Sequence, residues 1–122
     1  MTKRILVAED DPASRELIRE LLEMEGYDVQ MALNGRDALN QLQQSAPPDL
    51  VMLDIQMPEL DGYEVMKRLR NLPAYATVPV VAFTAYAMAG DRERALAAGF
   101  DSYITKPIRV ASLREELKKL FR

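Results

Sequence analysis

Residues 50–54 read Leu-Val-Met-Leu-Asp, four apolar residues closed by an acid. Pro47 and Pro48 stop whatever precedes the run, so it stands as a short strand with no polar face. Two other runs have the same character. Arg4–Ala8 is followed by Glu9-Asp10-Asp11, and Val80–Phe83, introduced by Pro79, ends at Thr84. Strands apolar on both faces belong to a parallel sheet covered by helices on each side. The stretches between them supply those helices. Asp11 and Pro12 start one that carries Leu17, Ile18, Leu21 and Leu22 and ends at Gly26. Asp28–Ala32 alternates and reads as a more exposed strand. Asn34 caps a helix with Ala38, Leu39 and Leu42, and Asp61 caps another with Val65, Met66 and Leu69. A helix from about Gly90 to Ala98, a strand at Ser102–Thr105 and a helix from about Val110 to Phe121 complete the chain.

Five strands alternating with five helices, joined by right-handed crossovers, leave few topologies. The expected fold is α/β: a doubly wound five-stranded parallel sheet of order 2-1-3-4-5, flavodoxin-like, with helices on both faces. One domain spanning residues 1–122 is expected from length. The composition is that of a globular chain, with 48% apolar and 29% charged residues. A net charge of −3 argues against nucleic acid or an anionic membrane as the main partner. No Cys and no His are present, which removes disulfides, thiol nucleophiles, Ser-His-Asp systems and imidazole metal sites. The N-terminal apolar run is too short for a signal peptide or a membrane span, so a cytoplasmic setting is expected.

The remaining chemistry sits just past the strands. Glu9 and Asp10 follow the first, Asp54 closes the third, Thr84 closes the fourth and Lys106 follows the fifth. In the order 2-1-3-4-5 all share one edge of the sheet, and Asp10 and Asp54 are neighbours at the switch point where ligands bind. Clustered carboxylates repel, and one takes a raised pKa unless a cation sits among them. All-oxygen ligation suits Mg²⁺. A metal, the Lys106 ammonium and the Thr84 hydroxyl around one carboxylate make an environment for phosphoryl transfer, with that carboxylate as nucleophile. Each residue alone also has a structural reading. Asp10 and Asp11 suit a helix cap and its neighbour, Asp54 a strand-end acid, Thr84 a β-branched strand residue, and Lys106-Pro107 a strand terminus. The conjunction of four strand ends favours the chemical reading.

Four segments carry a family resemblance: ILVAEDDP at 5–12, LVMLDIQMPELDGYE at 50–64, VPVVAFTA at 78–85 and GFDSYITKPI at 99–108. Together they make nearly the whole chain resemble the receiver domain of two-component response regulators. The resemblance implies that Asp54 accepts a phosphoryl group. It implies that Asp10 binds Mg²⁺ directly, Glu9 through water, and Gln56 through its backbone carbonyl. Thr84 would bind a phosphoryl oxygen, and Lys106 would pair with Asp54 and then with the phosphate. Tyr103 would turn inward as Thr84 is drawn to the phosphate. Pro107 would follow Lys106 through a cis bond, and Pro58 and Gly62 fit the loop after the nucleophile, although Gly62 also reads as a helix-start glycine. Glu9 departs from the Asp common at its place. Tyr86 is expected to limit water access to the phosphorylated site.

With no His of its own, the chain must take the phosphoryl group from a histidine kinase or a histidine phosphotransfer protein. The resemblance places that docking surface on the first helix and the loop after the fifth strand, with Ala13, Ser14, Leu17 and Ile108 as candidates. Leu17 suits the core equally well. It places the output surface on the fourth helix, fifth strand and fifth helix, including Ala87 to Arg92. Arg109, Arg114, Lys118, Lys119 and Arg122 suit either an acidic partner or a solvated face interleaved with Glu115 and Glu116. No DNA-binding unit follows Phe121, so no direct nucleic-acid or membrane contact is expected. A monomer or weak dimer is expected, as a stand-alone shuttle or switch or as part of a longer regulator. Three rivals remain. An aspartyl phosphatase of the haloacid dehalogenase type needs a second Asp where Gln56 stands. A flavin-binding module needs a Gly/Ser/Thr-rich cradle where Glu9-Asp10-Asp11 stands. A receiver-like module without chemistry would not need all the site residues.

Overall fold

The computed structural model describes residues 2–85 and 88–121. The elements run β1 (Arg4–Ala8), α1 (Pro12–Met24), β2 (Asp28–Ala32), α2 (Gly35–Gln44), β3 (Leu50–Asp54), α3 (Gly62–Arg70), β4 (Val80–Thr84), α4 (Asp91–Ala97), β5 (Ser102–Thr105) and α5 (Val110–Leu120). The five strands form one parallel sheet in the order β2-β1-β3-β4-β5, as expected. The sequence reading lacked a 3₁₀ turn at Pro73–Tyr75. It brings the buried Tyr75 under α2, where its hydroxyl donates to the Leu42 carbonyl at 2.6 Å. None of the described helices is long and apolar enough to cross a membrane.

The uniformly apolar strands still obey a period of two. Ile5, Val7, Leu50, Met52, Val81 and Phe83 pack with Ile18 and Leu22 of α1 and Leu113 and Leu117 of α5. Leu6, Ala8, Val51, Leu53, Val80 and Ala82 face the other way, onto Ala38, Leu39 and Leu42 of α2, Val65, Met66 and Leu69 of α3 and Ala95 of α4. Two hydrophobic cores therefore sandwich the sheet, with α1 and α5 on one face and the remaining helices on the other. Side-chain caps start three of the helices: Asp11 accepts from Ser14 N at 2.9 Å, Asn34 from Asp37 N at 2.8 Å and Asp61 from Glu64 N at 2.9 Å.

Strand register sets the working edge. Ala8 lies opposite Leu53, Asp54 opposite Phe83 and Thr84 opposite Thr105, so these strands end level with one another. Lys106 follows at once, its N–H donating to the Thr84 carbonyl at 2.8 Å, and the Lys106-Pro107 bond is cis, as the resemblance implies.

Gly62 is the first residue of α3, but its role is close approach rather than helix starting. A Cβ there would sit 2.7 Å from the Asp54 carbonyl oxygen and 2.9 Å from Ile55 Cα. Gly35 does the same for α2, where a Cβ would meet the Leu60 carbonyl oxygen at 2.5 Å. The segment after Asp54 is therefore gripped between two helix starts. Gly62→Ala is expected to lower stability by about 1–3 kcal/mol, because backbone must move to admit the methyl group. Urea unfolding should show a lower midpoint with an unchanged slope, and an unchanged midpoint would contradict the tight approach.

Candidate functional site

Three strand ends build an acidic cavity of about 320 Å³ lined by Glu9, Asp10, Asp11, Ser14, Asp54, Gln56, Ala85 and Lys106. Glu9 and Asp10 leave β1, Asp54 ends β3, and Lys106 arrives from the end of β5. Glu9 and Asp54 are buried and Asp10 is exposed. One carboxylate oxygen from each of the three lies within 4.8 Å of the others. The Lys106 ammonium donates to Glu9 Oε1 at 2.5 Å and to Asp54 Oδ2 at 3.0 Å. The other Asp54 oxygen accepts from the Gln56 backbone N–H at 3.0 Å. Asp11 is occupied otherwise, its carboxylate capping α1.

The charges do not balance. Three ionised carboxylates against one ammonium leave two negative charges, and two of the acids are out of water. The cost appears at Glu9, whose pKa is pushed up to about 7, first by burial and then by hydrogen bonding to Asp54, with Lys106 opposing both. Burial alone would lower the Lys106 pKa, but contact with Glu9 and Asp54 outweighs it and the net shift is upward. Glu9 Oε2 is buried with no hydrogen-bond partner among the described residues. An all-oxygen donor set, a twofold charge deficit and an orphaned carboxylate oxygen fit a hard divalent cation.

Thr84 and Tyr103 do not line that cavity. They face a neighbouring one of about 180 Å³, with Ile55, Gln56, Tyr63, Met88, Asp91 and Arg94. Gln56 borders both. Thr84 is 3% and Tyr103 8% exposed, so Tyr103 already lies inward. Its hydroxyl has no partner among the described residues. α4 is fastened beside it by Arg94, whose guanidinium stands 4.5 Å from the centre of the Tyr63 ring, while Tyr63 meets Phe100 edge to face at 5.9 Å. Tyr86 and Ala87 lie outside the described residues, as does Arg122.

A third cavity of about 320 Å³ opens beside the acidic one and is mostly apolar, lined by Ser14, Leu17, Ile18, Phe83, Ala85, Lys106, Pro107 and Ile108. Leu17 is 48% exposed, which places it on this surface rather than in the core. The basic side chains of α5 are largely paired within the fold. Arg114 reaches α1, donating to both oxygens of Glu25 at 2.6 and 2.9 Å, and Lys119 pairs with Glu115 and Glu116. The sequence reading did not anticipate Arg15, one turn into α1. Its Nη1 donates to the backbone carbonyls of Glu9 at 3.1 Å and Asp10 at 2.9 Å. The signal available was its spacing, five and six residues after two acids at a helix start.

Residues 5–118 match the response regulator receiver domain family. A Brucella ovis protein, the polar-differentiation response regulator DivK, is 41% identical over 118 residues, covering 97% of this chain and 95% of its own. Among solved structures, the signal receiver domain of a signal transduction histidine kinase from Syntrophus aciditrophicus superposes with a TM-score of 0.87 at 36% identity, covering 98% of this chain and 89% of that one. The receiver domain of the sensor histidine kinase PA1611 from Pseudomonas aeruginosa gives a TM-score of 0.89 at 32% identity over 98% of both chains. That structure has a magnesium ion coordinated in its active-site cleft.

The raised Glu9 pKa has a measurable sign in metal-free solution. The folded protein holds the Glu9 proton up to about pH 7 and the unfolded chain only to about 4.5, so between those values the fold binds more protons. Stability from this group is thus lost as pH rises through that window. Melting temperature in EDTA is expected to fall across it in the wild type and less so in Glu9→Gln. Parallel curves for the two proteins would contradict a buried, strained Glu9.

Proposed function

The chain belongs to the response regulator receiver domain family, and we propose that it takes a phosphoryl group from a phosphohistidine onto Asp54 in the presence of Mg²⁺. The convergence of Glu9, Asp10, Asp54 and Lys106 on one cavity carries this reading. Asp10 and Glu9, with Asp54 itself and the Gln56 carbonyl, would hold the cation. Mg²⁺, when bound, offsets the negative charge of the phosphoryl oxygens. Asp54 is held for attack by two contacts: the Gln56 N–H fixes one oxygen and Lys106 the other. An Asp54 oxygen forms the new bond to phosphorus as the bond from phosphorus to the donor imidazole nitrogen breaks, and the electron pair leaves with the imidazole. Lys106 balances charge on the acyl phosphate. Water later cleaves that phosphate and restores the carboxylate.

The protein turns over no free substrate on this reading and catalyses only its own phosphorylation and slow dephosphorylation. A phosphatase of the aspartyl type needs a second acid two residues beyond the nucleophile, and Gln56 cannot take a proton from water there. Output follows from the neighbouring cavity. The phosphate adds roughly −1.5 to −2 charge by analogy with phosphorylated hydroxyls. Thr84 moves toward it, and the inward state of Tyr103 is favoured. The surface of α4, β5 and α5 then shifts in population toward a partner-binding form. The apolar cavity between α1 and the β5–α5 loop is the seat for the phosphodonor's helices, because it adjoins Lys106 and exposes Leu17. We propose a cytoplasmic setting and a monomer or weak dimer, with no direct contact to nucleic acid or membrane.

Incubation with a small phosphodonor and Mg²⁺ is expected to add one phosphate to the wild type by intact mass and none to Asp54→Asn. Equal labelling of the two would defeat the assignment, as would labelling undiminished by EDTA. For the docking surface, Leu17→Glu is expected to slow transfer from a phosphorylated histidine phosphotransfer protein by roughly tenfold, the cost of placing a charge in an apolar contact. Labelling by the small phosphodonor should be unaffected. Transfer at the wild-type rate would remove Leu17 from the interface.

A further inference from the structure

We infer that Arg15 is a positioning residue for divalent-cation binding, acting through the backbone that carries Glu9 and Asp10. This rests on the metal-dependent phosphoacceptor reading of the same site. Arg15 is half-buried and sits in the first turn of α1, where its own N–H donates to the Asp11 carbonyl at 2.9 Å. Its side chain turns back over the helix start, and a single nitrogen, Nη1, donates to the carbonyls of Glu9 and Asp10 at 3.1 and 2.9 Å. The Glu9 N–H is already fixed from the other side, donating to the Ala32 carbonyl of β2 at 3.2 Å. The peptide before Glu9 is thereby held by β2, and the peptides on either side of Asp10 are held by Arg15. This matters most for Asp10, which is exposed where Glu9 is buried. A hydrogen bond from a charged donor is stronger than a neutral one, so a loop carbonyl held by guanidinium stays in one orientation.

Arg15 acts on the cation in two opposed ways. As a positive charge beside the cluster it repels a divalent ion. As an anchor it keeps the ligand-bearing backbone in the binding geometry. Groups that orient metal ligands typically matter by about 10- to 100-fold in affinity. The opposition gives a test in which the sign decides. If positioning dominates, removing the guanidinium weakens Mg²⁺ binding; if only charge matters, removal tightens it.

Mg²⁺ alone is titrated into wild type, Arg15→Met, Arg19→Ala and Asp10→Asn, following backbone amide shifts by NMR well below each melting temperature. The expected dissociation constant for Arg15→Met is about tenfold weaker than wild type. Arg19→Ala, on the exposed face of the same helix, should match wild type. Labelling of Arg15→Met by a small phosphodonor should be slow at low Mg²⁺ and recover at saturating Mg²⁺. Wild-type or tighter affinity in Arg15→Met, with Asp10→Asn impaired, would overturn this inference and leave the site reading standing. Equal affinity in wild type and Asp10→Asn would overturn both.

Discussion

One ammonium pairs with two buried carboxylates at once and offsets their mutual repulsion within the fold. Lys106 is 97 residues from Glu9 and 52 from Asp54 in sequence, and it reaches both only because β5 is laid at the far edge of the sheet and ends level with β4. Removing one partner of such a buried charge cluster costs about 3–5 kcal/mol, since the rest is left uncompensated. The remaining imbalance is the functional point. A cluster neutralised by protein groups alone would have little attraction for a divalent cation. This one retains a negative excess suited to a divalent ion, and burial pushes the Glu9 pKa up to about 7.

The sheet separates the tasks around that cluster. On the α1 and α5 side, the apolar cavity beside Lys106 exposes Leu17 and Ile108 next to the acids. On the other side, Thr84 and Tyr103 share a small cavity with the start of α4, fastened through Arg94 and Tyr63. Gln56 borders both the acidic cavity and this one, so the segment after Asp54 lies between the two. Two glycines hold that segment against α2 and α3 with no room for a methyl group.

The apolar runs determined the fold by themselves. Strands with no polar face have to be covered on both sides, and right-handed crossovers then leave little choice of order. The charged site residues were legible for a related reason: Glu9, Asp10 and Asp54 close apolar runs, and Lys106 directly follows the fifth strand. The Pro73–Tyr75 turn was not, since a three-residue turn leaves no periodicity. Arg15 and Gly35 were missed because neither breaks a pattern: an arginine in a solvated helix turn and a glycine after an N-cap are unremarkable in sequence, and their partners are chosen by how helix starts fold back over the strand ends.

What the chain alone determined, then, is which residues stand at the carboxyl edge of the sheet. Tertiary structure decided how they divide: Leu17 outward rather than in the core, Arg114 tied to Glu25 at the end of α1, and Thr84 facing a different cavity from Asp54. The physical reason is that periodicity fixes which face a residue occupies, whereas hydrogen bonds and ion pairs depend on distances between elements, and those are set only when both cores pack.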